Sequence, residues 1–122
     1  MNFARKMPGC GKVTYENETQ LVIAGGEDMN GNKLKSVEML KINLKSADLT
    51  KSNWIRIGEL IYARTYFPTV GMLDDSSLIV IGGKLDEEEY KHTVEKYQNN
   101  QQWQIWNSME LKSPLKSDRC GN

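Results

Sequence analysis

The sequence has little of the material from which catalytic or metal sites are built. Its 122 residues include a single histidine, His92, and two cysteines, Cys10 and Cys120. One histidine without clustered cysteines or carboxylates at ligand spacing does not make a metal site, and it supports no serine or cysteine catalytic set. We therefore expect no catalytic residues, no metal, no cofactor and no enzymatic activity.

Charge and hydrophobicity argue against two further classes of protein, nucleic-acid-binding proteins and membrane proteins. The 16 basic residues balance the 16 acidic ones, whereas nucleic acids and membrane surfaces attract proteins with a basic excess. No apolar run approaches the ~20 residues of a membrane-spanning helix, and residues 1–8 lack the apolar segment of a signal peptide. We expect neither a nucleic-acid nor a membrane partner, and the default location is cytoplasmic.

Two cysteines are too few for a disulfide framework. Each is followed by glycine, and the two lie near opposite ends of the chain. A bridge between Cys10 and Cys120 is one alternative, but the favoured interpretation is a pair of free, at least partly buried thiols.

A set of landmarks occurs twice in the same order. Each copy has an arginine, an apolar run that ends in a glycine pair, a glutamate that follows valine, and a tryptophan. The glycine pairs are 57 residues apart, and so are the glutamates. Ordered landmarks at nearly constant spacing indicate an internal repeat. The first copy supplies Arg5, Gly25, Gly26, Glu38 and Trp54, and the second supplies Arg64, Gly82, Gly83, Glu95 and Trp103.

This order of landmarks resembles the kelch repeat, whose period is near 50 residues. The resemblance covers two complete repeats, 1–59 and 60–118, with 119–122 as the start of a third. The first repeat departs from the family pattern because Leu40 stands where tyrosine is usual, and because a longer polar loop separates its glutamate from its tryptophan. The resemblance implies an all-β fold, with two four-stranded antiparallel kelch blades of an incomplete β-propeller.

Local composition indicates strands independently of the family. Short runs rich in Val, Ile, Leu, Tyr and Trp are bounded by Gly, Asn, Asp and Ser, and no long stretch has a helical period. The run 78–81 is apolar throughout, as expected of a strand covered on both faces. Strands are predicted at 9–14, 21–24, 36–43, 54–57, 66–72, 78–81, 93–98 and 103–106.

The glycines and glutamates of the repeat are predicted to be structural. A glycine pair allows a sharp turn or a close backbone approach; the alternative, a phosphate-binding loop, needs further glycines and a helix start. The resemblance implies that Glu38 and Glu95 accept hydrogen bonds inside or between blades. A buried carboxylate must be paired, and Arg5 and Arg64 are the candidate partners.

The tryptophans are predicted to be anchors between blades. Trp54 and Trp103 have the apolar bulk for that role, and a platform for a sugar or another ligand is the alternative. Trp106 follows Trp103 by three residues, so it faces the other way in a strand and is the better candidate for an exposed contact.

Kelch propellers commonly bind partners through the loops that join the second strand to the third and the fourth strand to the next blade. Here the first set is 27–35 and 84–91, and the second is 58–62 and 107–118. The acidic run 86–89 is either a solvated loop or part of this binding face, since loops on a rigid scaffold often carry function. The candidate partner-binding residues are Glu27, Asp28, Asn30, Asn32, Lys33, Tyr62, Lys84, Asp86, Glu87, Glu88 and Glu89.

The resemblance implies a protein–protein interaction module that presents these loops to a protein partner of unknown identity. The alternatives are the substrate-recognition part of a ubiquitin-ligase adaptor, or a non-catalytic part of a galactose-oxidase-like or carbohydrate-binding propeller. A closed propeller has about 4–8 blades, so further kelch blades in the same or another chain are expected partners. We expect a fragment of a longer protein; a ring of several copies and a partly stable two-blade unit are the alternatives. The isolated chain should self-associate or be poorly stable.

Overall fold

The computed structural model describes residues 4–15, 17–41, 54–74, 76–86, 92–98, 101–106 and 118–119. These residues form nine β-strands in two antiparallel sheets. The described part of the chain contains no helix, and thus none long and apolar enough to cross a membrane. The all-β prediction is therefore confirmed, while the polar loop expected around 43–53 lies outside the described residues.

The first sheet is built from the first repeat. Its strands follow the order of the chain, and each is antiparallel to the next. A fifth strand of two residues pairs with the outer edge of the first, with Arg119 opposite Gly11. The sheet therefore has one more strand than the four expected. The strands are β1 (Gly9–Tyr15), β2 (Glu18–Ala24), β3 (Ser36–Lys41), β4 (Ile55–Glu59) and β9 (Asp118–Arg119).

The second sheet is built from the second repeat and has four strands in chain order. Its first strand begins at Thr69, whereas the sequence predicted a start at residue 66. Leu78, Ile79 and Val80 are fully buried, which confirms that this apolar strand is covered on both faces. The strands are β5 (Thr69–Asp74), β6 (Ser77–Ile81), β7 (Val94–Gln98) and β8 (Gln104–Ile105).

The hydrophobic core lies between the two sheets. β1 alternates buried and exposed residues, so that Val13 and Tyr15 point inward while Lys12 and Thr14 face solvent; this is the period-two pattern of a half-covered strand. Strands β1 and β5 pack closely at Gly11, where a Cβ atom would lie 3.1 Å from the Val70 carbonyl oxygen. The buried cluster contains Val13, Tyr15, Val22, Ala24, Val37, Met39, Ile57, Leu60, Val70, Leu78, Val80, Tyr97 and Trp103.

The state of one cysteine differs from the expectation. Cys10, half-buried on β1, is disulfide-bonded. The interpretation of this residue as a free thiol is therefore wrong. Cys120 lies outside the described residues.

Candidate functional site

A buried polar network holds the first repeat together around Arg5. One guanidinium nitrogen, Nη2, donates to Glu38 Oε2 at 2.7 Å and to the Ser36 hydroxyl at 3.0 Å. The other, Nη1, donates to the carbonyl oxygens of Gly25 and Ser36 at 2.9 and 3.1 Å. Burial lowers the pKa of Arg5 from its usual value, and the Glu38 carboxylate opposes that shift. Glu38 is thus paired with Arg5, the cation proposed for it from the sequence.

The second repeat contains the same network around Arg64. Its Nε donates to Glu95 Oε2 at 3.0 Å, Nη1 to the Gly82 carbonyl oxygen at 3.1 Å, and Nη2 to the Thr93 hydroxyl at 2.7 Å. Glu95 also accepts hydrogen bonds from the backbone amides of Ile61 and Tyr62. Both side chains of the ion pair are inaccessible to solvent. The carboxylates therefore organise the backbone, as expected, and face no open site.

The glycine pairs occupy the ends of β2 and β6, and all four glycines have positive φ. At Gly25, Gly26 and Gly83, a Cβ atom would come within 3.0 Å of a backbone carbonyl oxygen. At Gly82 a Cβ would meet nothing within 4 Å, so only its φ of 79° favours glycine there. The amide of Gly26 donates to the Arg64 carbonyl oxygen at 2.7 Å and so joins the two repeats.

Trp103 is the anchor between the sheets. Only 4% exposed, it donates from Nε1 to the Ile57 carbonyl oxygen of the first sheet at 2.9 Å. Its ring lies 5.3 Å from the ring of Tyr97, centroid to centroid. Trp54 and Trp106 are both half-buried, so Trp106 is less exposed than the sequence suggested.

The loop 27–35 has a compact shape set by Asp28. Its Oδ1 accepts hydrogen bonds from the backbone amides of Asn30 and Asn32, both at 2.9 Å, and its Oδ2 accepts from the Asn32 side chain at 3.1 Å. The amide of Asn32 is the largest cause that holds the pKa of Asp28 below the usual 3.8. Asp28 and Asn32 therefore shape the loop, and Asn30 is exposed at its tip.

The structure brings the corresponding loops of the two repeats together. Lys33 Nζ lies 2.6 Å from Asp86 Oδ1, which joins the first loop to the second. This hydrogen bond raises the pKa of Lys33, and the nearby Glu27 and Tyr66 raise it further. The loops at 27–35 and 84–86 therefore share one face, whereas Glu87, Glu88 and Glu89 lie outside the described residues.

The same face displays two aromatic residues that the sequence reasoning did not single out. Tyr66 and Phe67 are 51% and 66% exposed, and both have positive φ, 56° and 58°. Lys84 Nζ lies 5.3 Å from the centroid of the Tyr66 ring, within the range of a cation–π interaction. The sequence contains one sign of this difference between the repeats, an extra residue before Pro68. Pro8 is the third residue after Arg5, whereas Pro68 is the fourth residue after Arg64.

Backbone hydrogen bonds fix the aromatic pair beside the loops. Thr65 and Lys84 exchange two hydrogen bonds of 3.0 and 2.7 Å, as Lys6 and Glu27 do at 2.8 Å each in the first repeat. The amide of Phe67 donates to the Met7 carbonyl oxygen at 3.1 Å. Tyr62, a candidate binding residue, is half-buried, and its amide serves the Glu95 network.

No group of three or more His, Cys, Asp or Glu side chains lies close enough to hold a metal ion within the described ranges. No protein-family model matches the chain, and no match to a curated protein was found.

Proposed function

We propose that the chain is a kelch-type β-propeller segment that acts as a protein–protein interaction module, with no catalytic residues and no cofactor. The observation that carries this proposal is the exposed aromatic pair Tyr66–Phe67, which lies beside the loops of both repeats. Aromatic residues are enriched among the side chains that dominate binding energy at protein interfaces. The candidate binding face therefore consists of the described loop residues 27–35 and 84–86 together with Tyr66 and Phe67.

The backbone of this pair is strained, and the first repeat has one left-handed residue at the corresponding place, Met7 (φ 51°) directly before Pro8. Left-handed conformations cost non-glycine residues of order 1–3 kcal/mol each, and Phe67 precedes a proline, which restricts its backbone further. Burial of the two side chains does not offset that cost, because both remain more than half exposed. Contacts elsewhere in the fold, such as the hydrogen bond from the Phe67 amide to the Met7 carbonyl oxygen, hold this conformation, and it leaves both side chains available to a partner.

The polar surroundings favour a protein over other ligands. Lys84 stands over the Tyr66 ring, and the Lys33–Asp86 pair and Glu27 contribute charges of both signs. An aromatic centre with a mixed charged rim is typical of a protein interface. The repeated Arg–Glu networks make the support rigid, so that the partner meets a preformed surface.

The test uses a display library of random linear peptides as the probe, captured on the purified chain. We expect enrichment of a peptide family whose affinity falls about 30-fold in Phe67→Ala, because truncation of a central aromatic costs about 2 kcal/mol. Ile55→Ala is the matched control, since Ile55 is 53% exposed but lies on β4. Equal capture by wild type and Phe67→Ala contradicts the proposal. Binding on a glycan array that Tyr66→Ala abolishes would favour the carbohydrate-binding alternative.

A further inference from the structure

Two asparagines lie in the 27–35 loop, and their side chains have different surroundings. The side-chain nitrogen of Asn32 donates to Asp28 Oδ2 at 3.1 Å, so this side chain is held in place. Asn30 is exposed at the loop tip, where its backbone amide donates to Asp28 Oδ1 at 2.9 Å. Within the described part of the chain its side chain has no hydrogen-bond partner. The side-chain amide of Asn30 is therefore free to turn toward the main chain that follows it.

The residue after Asn30 is glycine, and no other asparagine of the sequence precedes one. Glycine lacks the side chain that would crowd its own backbone nitrogen, and its backbone is the most adaptable. A Cβ atom added to Gly31 would meet nothing within 4 Å, so no other part of the fold hinders this residue. Its amide donates to the Asp28 carbonyl oxygen at 3.1 Å, but an exposed loop tip opens locally at little cost in free energy. Asn32, by contrast, is followed by Lys33.

An asparagine in these surroundings can react with its own main chain. The backbone nitrogen of Gly31 loses its proton and attacks Cγ of Asn30. A bond forms between that nitrogen and Cγ, the bond from Cγ to Nδ2 breaks, and the side-chain nitrogen leaves as ammonia. The product is a five-membered succinimide ring. Water then adds to either ring carbonyl and opens the ring, which yields aspartate or isoaspartate without any oxidant or reductant.

We propose that Asn30 is a self-modification site, at which the chain converts a neutral amide of the candidate binding face into a carboxylate. The change lowers the formal net charge of the chain, which is zero, by one unit. Isoaspartate also lengthens the main chain by one carbon, which disturbs the hydrogen bonds from the amides of residues 30 and 32 to Asp28 Oδ1. The chemistry stands without a partner; only its effect on partner binding rests on the proposed function.

The experiment is incubation of the purified chain in mildly alkaline buffer made with heavy-oxygen water, followed by peptide mass spectrometry. Digestion in ordinary water ensures that label marks only the acid formed during the incubation. We expect label at residue 30 to accumulate about tenfold or more faster than at Asn32, because only Asn30 precedes glycine. The labelled product should be a mixture of isoaspartate and aspartate. This mixture is diagnostic of the ring, since direct hydrolysis of the side chain gives aspartate alone.

Asn30→Gln is the matched control, because it keeps the amide but lengthens the side chain, so that the five-membered ring cannot form. This variant should take up no label at residue 30. Three results would overturn the proposal: an Asn30 that remains an amide, equal rates at Asn30 and Asn32, and labelled aspartate without isoaspartate.

The label is read without any partner, so this test and the test of the proposed function are independent. Failure of peptide capture contradicts the proposed function, while label at residue 30 still supports the modification. An unmodified Asn30 overturns the present proposal and leaves the capture attributed to Tyr66 and Phe67 unaffected.

Discussion

Replacement of Arg64 by methionine should remove a large part of the stability of the chain. The substitution deletes three hydrogen bonds, to Glu95, Gly82 and Thr93, of 3.0, 3.1 and 2.7 Å. It also leaves a carboxylate that is wholly inaccessible to solvent without its cation. Removal of one partner from a buried ion pair costs about 3–5 kcal/mol. This is a large share of the about 5–15 kcal/mol that stabilises an ordinary domain.

The assay is equilibrium unfolding in urea, followed by tryptophan emission and circular dichroism. Lys41→Met is the matched control, because it breaks the Lys41–Glu18 pair of 3.2 Å, whose side chains are 62% and 55% exposed. Exposed pairs contribute about 0–1 kcal/mol. Should Arg64→Met fail to fold, Thr93→Val removes one acceptor from the guanidinium and should cost about 1.5–3 kcal/mol.

A double variant distinguishes the stability cost of an unpaired buried charge from the cost of lost packing contacts. Replacement of both partners, Arg64→Met with Glu95→Leu, removes the unpaired charge that either single change leaves behind. We expect the double variant to be more stable than Glu95→Leu alone. If Arg64→Met costs no more than Lys41→Met, the network does not support the fold, and the reasoning is refuted.

Two further predictions concern the glycine pairs and the first loop. Gly25→Ala should unfold at much lower urea concentration than Gly82→Ala. Both glycines have positive φ, but of the two only at Gly25 would a Cβ overlap a carbonyl oxygen of the next repeat. Equal unfolding midpoints for the two variants would contradict this prediction. Acid should loosen the 27–35 loop, because the depressed pKa of Asp28 means that the ionised form makes the loop's hydrogen bonds. The stabilisation of the loop by ionised Asp28 is complete above pH 3.8 and is lost as the pH falls below it. The backbone amide signals of the loop should therefore titrate in nuclear magnetic resonance spectra of wild type but not of Asp28→Asn. A midpoint above 3.8 would refute the assignment.

The sequence predicted most of the strands because strand signals are local patterns. Glycine pairs, apolar runs of strand length and turn residues each act within a few positions of the chain. The pairing of Arg5 with Glu38 followed from a different argument, that a buried carboxylate needs a cation. The structure forms that pair at 2.7 Å.

The prediction was wrong where the backbone leaves the usual regions. Tyr66 and Phe67 have side chains that favour strands, so the sequence assigned them to the strand that in fact begins at Thr69. Their left-handed conformations are held by contacts distant in sequence, such as the hydrogen bond from the Phe67 amide to the Met7 carbonyl oxygen, and the extra residue before Pro68 was the one local sign of a difference. The pairing of β9 with β1 is also a contact between distant segments.

Arg64 links the buried network to the candidate binding face. Its side chain makes hydrogen bonds inside the second sheet, while its main chain bonds the first repeat at Gly26 and Leu34, over 2.7 and 3.3 Å. The aromatic pair begins two residues later, where the hydrogen bonds between Thr65 and Lys84 and from Phe67 to Met7 also hold it. Because rigid support limits the entropy lost on binding, the landmark arginine that keeps the repeats together would also position Tyr66 and Phe67 for the proposed partner. A change at Arg64 should therefore weaken peptide capture even in a variant that still folds.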